Sequence, residues 1–373
     1  MVSVPLSMAM RISGLKIEMI ILGCMLMLVL LFINVGSAKT ITVDDDGGED
    51  YENIQYAIDN ATSGDTIRVF EGRYREHITI NASLVLQGNG STESIIIQEE
   101  NHYAISINTD NVTIIGFTIT HSTIFDISYF KNGILIHGNN TKILNNNISN
   151  NWRGIEATYS LSGLVVDNNS FLENLITGVA FYSITNSVFK NNIQSGSAQG
   201  IYLWNCTDNM ISDNQILKNS FSGVTFEDSH NNTISMNIIE ENGVGIRFKT
   251  THYKHLKSSI NNEIHNNSIT NSSLNGINTS KNQGEIVDVR FNYWGNGSGP
   301  YHHTLNPNGT GNTVSSEAIF NPWYDDEENL VYAPELIIEG ETDDNFNKLP
   351  LFILILIFCA LLIALGIIVH RPR

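Results

Sequence analysis

The chain has 373 residues and a formal charge of −18 at pH 7. Such an acidic chain repels a phosphate backbone, so nucleic acid is excluded as a partner. Two of the three cysteines, Cys24 and Cys359, lie in long apolar runs, which excludes a disulfide framework and a cysteine-based zinc site. Asparagine is the unusual residue, with 47 copies, and this excess calls for a structural explanation.

The first 38 residues predict a targeting segment. Arg11 and Lys16 precede an uncharged apolar run over 19–33, and small residues end the segment at Ala38. This order is typical of a secretory signal peptide that is cleaved after Ala38. An uncleaved N-terminal membrane anchor is the alternative, because an apolar helix over 17–35 would almost cross a bilayer.

The next elements are a short helix and several irregular strands. Ile54, Ala57, Ile58 and Ala61 have the spacing of a helix with one apolar face, and Asp50 precedes them as a potential N-terminal cap. Short β-branched runs between residues 67 and 119 then predict about three irregular turns of strands.

An internal repeat follows. Glycine before Ile or Val recurs about every 22 residues, with a longer last step, at Gly133, Gly154, Gly178, Gly200, Gly223, Gly245 and Gly276. Each unit also contains Ile or Val, then Asn three residues later, then a large apolar residue two further on. The asparagines of this second pattern are Asn146, Asn169, Asn191, Asn214, Asn237, Asn267 and Asn292. Two independent patterns in seven units indicate a true repeat.

The repeat predicts an all-β fold, a right-handed parallel β-helix of about ten coils over residues 39–324. Leucine-rich repeats, the alternative solenoid, need a leucine framework that this chain lacks. Stacked coils bring equivalent residues into vertical columns about 4.8 Å apart, so the seven asparagines are predicted to form a structural ladder of side-chain amides. The short N-terminal helix is predicted to cap the open end of the apolar tube.

The C-terminal part predicts membrane attachment. Residues 325–348 are acidic and read as an extended stalk. The uncharged segment 349–369 is long enough to form a transmembrane helix, and the basic tail 370–373 favours the cytoplasm. The sequence therefore predicts a cell-membrane protein with a single C-terminal span and an extracellular ectodomain. The ectodomain also has 14 Asn-x-Ser/Thr sequons, which suit a surface glycoprotein.

Three segments carry a resemblance to a known family. They are VDDDGGEDYENIQYAIDNATSGDTIRVFEGRYREH at 43–77, the Gly/Ile/Asn units, and NYWGNGSGPY at 292–301 followed by FNPWY at 320–324. These segments resemble NosD-like right-handed β-helix proteins of the pectin-lyase-like superfamily, and similar segments occur in archaeal cell-surface proteins. The resemblance implies the fold. It implies little about function, because superfamily members include lyases, hydrolases, epimerases, tailspikes and surface proteins without known activity.

Strand alternation predicts one candidate ligand face. With the glycines as register marks, three rings and three charged residues point outward from one sheet: Glu156, Tyr182, Tyr202, Trp204, Glu227 and Arg247. Exposed rings suit the apolar faces of sugars, and the charged groups suit their hydroxyls. The alternative is that the rings only pack beneath a loop. Glu227 and Lys249 are expected to form a surface ion pair of small energetic value.

No catalytic set, metal site or cofactor is predicted. Glu156 and Glu227 are three coils apart, about 14 Å, which is too far for paired glycosidase carboxylates. His252, His255 and His265 suggest copper or zinc ligands, but a basic exposed loop explains them as well.

The predicted function is a surface glycan-binding, adhesive or structural module whose partner is a surface or environmental glycan. A polysaccharide lyase or glycoside hydrolase is the alternative.

Overall fold

The computed structural model describes residues 38–90, 93–98, 103–121, 131–250, 258–282 and 284–332. In this part the chain winds through three long parallel sheets, here named A, B and C, and from Thr66–Val69 onward it visits them in that order in every turn. Short strands of Ile, Val and Thr suit this winding, since a β-branched side chain packs well on a pleated sheet. The predicted membrane span and most of the targeting segment lie outside the described residues.

The strands of each sheet stack in chain order. Sheet A contains Thr40–Val43, Thr66–Val69, Val85–Gly88, Thr113–Ile115, Lys142–Leu144, Val165–Asp167, Val188–Lys190, Met210–Ser212, Thr233–Ser235 and Glu263–His265. Sheet B contains Gly72–Tyr74, Ser94–Gln98, Thr118–His121, Asn147–Ser149, Ser170–Leu172, Ile193–Ser195, Gln215–Leu217, Ile238–Glu240 and Ser268–Thr270. Sheet C contains Ile78–Ile80, Ile105–Ile107, Ile134–Ile136, Arg153–Ala157, Thr177–Tyr182, Gln199–Trp204, Ser222–Glu227, Val244–Lys249 and Asn275–Asn278.

The architecture is thus a parallel β-solenoid of the right-handed type, as predicted, but it is shorter than expected. Sheets B and C have nine strands each, and nine stacked strands are separated by eight turns. The expected ten coils counted one irregular coil too many before Gly133. No three-strand turn follows Asn275–Asn278 in the described part of the chain, where the strands Val287–Asp288 and Ala318–Ile319 form only a small parallel pair.

The core is a continuous apolar column inside the coil. The inward residues of sheet C, one and three positions after each repeat glycine, are buried, as the alternation predicts. Fully buried members are Ile134, Ile155, Val179, Ile201, Val224, Ile246, Ile136, Ala157, Leu203 and Phe226. Each buried Ile, Leu or Phe side chain stabilises the fold by about 1.5–3 kcal/mol through removal of apolar surface from water. The repetition of this contribution in every turn stabilises the solenoid.

The N-terminal helix α1 spans Ile54–Asp59 and buries Ile54, Ala57 and Ile58 against the first turns, which agrees with the predicted lid. The predicted cap is wrong. Asp50 accepts hydrogen bonds from the main chain and hydroxyl of Thr42, and these bonds lower the pKa of its carboxyl. Glu76 satisfies the helix instead, because its carboxylate accepts from the first two helical N–H groups at 2.9 Å.

The described C-terminal end folds back on itself. Trp323–Tyr324 and Leu330–Val331 form an antiparallel hairpin, so ordered structure continues to residue 332, past the predicted boundary between solenoid and stalk at 324/325. None of the helices in the described ranges has the length and hydropathy of a membrane-spanning segment. The predicted span at 349–369 lies beyond these ranges.

An amide ladder runs along the corner between sheets A and B. In each turn the Asn Nδ2 donates to Oδ1 of the next asparagine at 2.9–3.1 Å, through Asn146, Asn169, Asn192, Asn214, Asn237, Asn267 and Asn292. From Asn169 onward, each Oδ1 also accepts from the main-chain N–H of the ladder asparagine in the preceding turn. Each amide is almost completely buried. The ladder therefore satisfies the polar groups of a tight buried corner.

The third predicted rung was assigned to the wrong residue. Asn192 occupies it, whereas Asn191 is an exposed turn residue with a left-handed φ of 53°. The other two corners carry shorter ladders that the sequence patterns did not reveal. Their amide pairs are Asn151 with Asn174, Asn219 with Asn242, Asn209 with Asn232, and Asn232 with Asn262.

Candidate functional site

The candidate site is the outward face of sheet C, where the strands are longest. The strands Thr177–Tyr182, Gln199–Trp204, Ser222–Glu227 and Val244–Lys249 have six residues each. Their register aligns one outward column of Tyr182, Trp204, Glu227 and Lys249, beside a second of Tyr202, Thr225 and Arg247. Long strands position these side chains on a rigid surface.

Tyr182, Tyr202 and Trp204 form a contiguous ring group. The ring centroids of Tyr182 and Tyr202 are 5.7 Å apart in an edge-to-face arrangement, and those of Tyr182 and Trp204 are 6.2 Å apart. All three side chains are half-buried. Such contacts stabilise each ring position by about 0.5–1.5 kcal/mol, so the rings are held in place and still present part of their surface to solvent.

Glu227 does not lie on the surface, contrary to prediction. Its side chain is 0 % exposed and makes an ion pair of 3.0 Å with Lys249 Nζ. Tyr202 donates its hydroxyl to the same carboxylate oxygen, Oε2, at 2.6 Å, while Oε1 is buried without a hydrogen-bond partner. Burial and, after it, the Glu227 carboxylate raise the pKa of Tyr202. Tyr202 is therefore a protonated donor that holds Glu227 in place.

Glu156 marks the opposite end of the face, where it also bonds within the protein. Arg153 Nη1 lies 3.2 Å from its Oε2, and Asn132 Nδ2 donates to the same oxygen at 2.7 Å. The sequence interpretation missed Arg153 and Asn132. Both residues directly precede a repeat glycine, Arg153 before Gly154 and Asn132 before Gly133, and this shared position was the available signal.

Arg247 lies where the sequence predicted it, on the outward face. Its guanidinium carbon is 4.3 Å from the ring centroid of Phe221, an exposed residue of the preceding turn. A planar guanidinium stacked in this way keeps its N–H donors at the ring edge. The structure thus groups five of the six predicted site residues around a half-exposed surface, with the sixth, Glu227, buried beneath it.

The amino-acid sequence matches a known protein family. Residues 58–313 match the family model described as periplasmic copper-binding protein, NosD. The chain belongs to the NosD family. No curated protein matches it, and its similarity to solved structures concerns the fold alone.

Three solved structures illustrate that fold. The Agl-KA catalytic domain is 17 % identical with a TM-score of 0.53, over 70 % of this chain and 54 % of that one. The A-module of Azotobacter vinelandii mannuronan C-5 epimerase AlgE6 is 15 % identical with a TM-score of 0.50, over 65 % and 82 %. Tailspike protein 2 of bacteriophage CBA120 is 15 % identical with a TM-score of 0.46. That match covers 78 % of the NosD-family chain and 47 % of the tailspike chain.

The described residues of this NosD-family chain do not fit a copper site. They contain no group of three or more His, Cys, Asp or Glu side chains that could hold a metal ion. Burial raises the pKa of the Cys206 thiol to about 12, which keeps it from acting as a thiolate ligand. The rings of His302 and His303 stack, but His302 Nδ1 already accepts from the main chain of Leu305. His252 and His255 lie outside the described residues.

A cleft lies near the C-terminal hairpin, and the sequence interpretation missed it. It has a volume of about 740 Å³ and is lined by Met236, Asn266, Asn267, Ser268, Tyr293, Tyr324, Asp325, Asp326 and Glu328. The Tyr293 hydroxyl donates to Asp326 at 2.6 Å, and that of Tyr324 donates to Asn266 at 3.2 Å. The sequence interpretation assigned Asp325, Asp326 and Glu328 to an extended acidic stalk, because the return of the hairpin onto the sheet A–B corner has no local signature.

Proposed function

We propose that this chain is a membrane-anchored cell-surface protein that binds glycans through the outward face of sheet C. The predicted apolar segment 349–369 anchors it, and the solenoid presents the face outside the cell. The ring group of Tyr182, Tyr202 and Trp204 carries the proposal. Half-exposed rings on a rigid sheet match the apolar faces of sugars, and stacked contacts of this kind cost little side-chain entropy on binding.

The polar surroundings of the ring group support the same function. Arg247 and Lys249 are partly exposed and can donate to sugar hydroxyls from one side of the rings. Glu156 and Arg153 supply an acceptor and a donor from the other side, since both side chains are partly exposed at 17 % and 25 %. Rings between two polar groups resemble a general small-ligand site, in which apolar contact supplies affinity and a few polar groups fix orientation.

The test is a binding panel of neutral and acidic oligosaccharides against the purified full-length chain. We expect at least one glycan to bind, and Trp204→Ala to weaken that binding by about tenfold, the effect of losing an aromatic anchor. Tyr56→Ala is the matched control, because Tyr56 is an exposed ring on helix α1. Equal loss of binding in both variants, or no effect of Trp204→Ala, would contradict the proposal.

An enzyme acting on polysaccharide is the second candidate function. The observation that favours it is the cluster of a buried carboxylate, a protonated phenol and an ammonium group formed by Glu227, Tyr202 and Lys249. Buried titratable groups of this kind occur at active sites as well as in structural networks. Release of reducing ends or unsaturated uronates from the same glycan panel, abolished by Tyr202→Phe, would favour the enzyme over the binding protein.

A further inference from the structure

The strands of sheet C carry a small excess of positive charge in an acidic protein. They contain three cationic side chains, Arg153, Arg247 and Lys249, against two carboxylates, Glu156 and Glu227. The whole chain has 20 Lys and Arg against 38 Asp and Glu. Charges farther away than about 8–10 Å are largely screened at physiological salt. An approaching ligand therefore meets the local charge of sheet C rather than the net charge of the chain.

Both carboxylates of the face are already neutralised by contacts within the protein. Glu156 bonds to Arg153 and Asn132. Glu227 bonds to Lys249 and Tyr202 and has no exposed surface. Neither carboxylate is thus left as an isolated negative charge that would repel an anion at the ring group.

Arg247 is the cation that remains available. It makes no ion pair with any described residue, and its guanidinium lies over the Phe221 ring at 4.3 Å. Lys249 lies two residues further along the same strand and points to the same side, about 7 Å away. Its side chain is 39 % exposed despite the ion pair. Arg247 and Lys249 together form a cationic edge beside the ring group.

We propose that the glycan bound by sheet C is an acidic saccharide whose carboxylate or sulfate group binds at Arg247 and Lys249. This inference rests on the proposed glycan binding and adds the chemical class of the ligand. The guanidinium fork of Arg247 matches the two oxygens of a carboxylate or sulfate, and Lys249 adds a point charge. Trp204 lies two strands away in the column of Lys249, about 10 Å, so that sugar rings and anionic group can bind together.

The experiment compares ligands that differ only in charge. Calorimetry on the full-length chain would use a uronic acid oligosaccharide, the same oligosaccharide fully methyl-esterified, and a sulfated neutral oligosaccharide of equal length. We expect the uronate to bind at least tenfold more tightly than its ester, and its affinity to fall as salt is raised. A preference for the sulfated ligand over the uronate would assign the sulfate as the anion.

Variants at the cationic edge complete the test. Arg247→Gln should lower the affinity for the acidic ligand about tenfold, and it should weaken binding of the methyl ester by a clearly smaller factor, because the ester loses a neutral contact and no ion pair. Lys218→Gln is the control, since it removes an equal charge from an exposed ion pair with Glu241. Equal affinity for the acid and the ester would contradict the proposal of an acidic ligand, and so would an equal loss of affinity for both ligands in Arg247→Gln. Neither result would contradict glycan binding itself. Absence of binding to every glycan overturns the glycan-binding function as well.

Discussion

Two stacked columns of this solenoid have opposite designs. The ladder between sheets A and B repeats asparagine in seven successive turns, and each amide is bonded to the next. The outward column of sheet C changes in every turn, from Tyr182 through Trp204 and Glu227 to Lys249. A uniform column satisfies its own hydrogen bonds, whereas a varied column leaves rings and charges with unused surface. Uniform columns stabilise the fold, and varied columns provide places for ligands.

The largest effect is expected from breaking the ladder at its centre. Asn214 donates to Phe189 O at 3.0 Å and to Asn237 at 2.9 Å, and its Oδ1 accepts from Asn192. Asn214→Ala should lower the free energy of unfolding by about 3 kcal/mol, because buried partners lose their bonds. Chemical denaturation measures this. Asn191→Gly, at an exposed left-handed position, is the control and should cost less than about 1 kcal/mol; a loss as large as that of Asn214→Ala would refute the ladder assignment.

Gln194 is a buried amide outside the ladders, and its replacement is expected to raise the free energy of unfolding. Gln194 occupies an apolar column of sheet B between Phe171 and Ile216, and its Oε1 is buried without a partner. Gln194→Ile should raise the free energy of unfolding by about 1–2 kcal/mol, since it removes that unpaired oxygen. The matched control is Ile216→Gln, which should destabilise. A decrease in stability for Gln194→Ile would mean that the hydrogen bond from Gln194 Nε2 to the carbonyl of Gly200 contributes more than the unpaired oxygen costs.

The two sides of one strand separate stability from binding. Leu203 points inward and is 0 % exposed, while its neighbour Trp204 is half-buried on the outward face. Leu203→Ala should cost about 3 kcal/mol of stability through the cavity it leaves, and it should leave glycan affinity unchanged. Trp204→Ala should reduce stability by less than about 1 kcal/mol and weaken glycan binding by about 1–2 kcal/mol. Trp204 is a packing residue if the two variants unfold alike in a thermal scan.

The smallest effect concerns pH at the C-terminal cleft. The Tyr293 hydroxyl donates a hydrogen bond to Asp326, and this bond raises the pKa of Tyr293 to about 12, above the usual value near 10. The folded state therefore favours the protonated phenol, and its contribution is complete below about pH 10 and lost as the pH rises towards 12. We expect less than about 1 kcal/mol, since the pair is exposed. Tyr293→Phe should abolish this part of the pH dependence in alkaline unfolding curves, whereas Tyr56→Phe should not.

The repeat made most of the fold predictable. The ladder position was ambiguous in one turn, where two asparagines, Asn191 and Asn192, are adjacent. Val188-Asn191-Ile193 and Phe189-Asn192-Gln194 both satisfy the spacing, and an apolar Ile193 favoured the first. Main-chain pairing in sheet B instead aligns Phe171 with Gln194, which buries the glutamine and leaves Ile193 43 % exposed. Pairing with neighbouring turns fixes the register, so a local pattern cannot choose between adjacent asparagines.

The candidate face was predictable in its positions but not in its burial. Alternation placed Tyr182, Trp204 and Arg247 outward, as observed. It also placed Glu227 outward, yet Tyr202 and Lys249 from adjacent strands cover it. Such covering depends on side-chain conformations in three strands at once. The cleft beside Tyr293 was unpredictable for a similar reason, because it forms only when a distant hairpin returns to the solenoid.

The hydrogen bonds between the amides of the ladder all run in one direction along the solenoid, and the ladder ends at Asn292. From Asn146 onward every Nδ2 donates towards the C-terminal end, so each turn offers a donor to the one that follows. Asn292 ends the series, since its Nδ2 donates only to main-chain carbonyls among the described residues, those of Ile264, Val289 and Arg290. A second molecule stacking on this end would find no free amide donor to continue the column. The corner between sheets A and B therefore ends at Asn292 with its amide donor already satisfied.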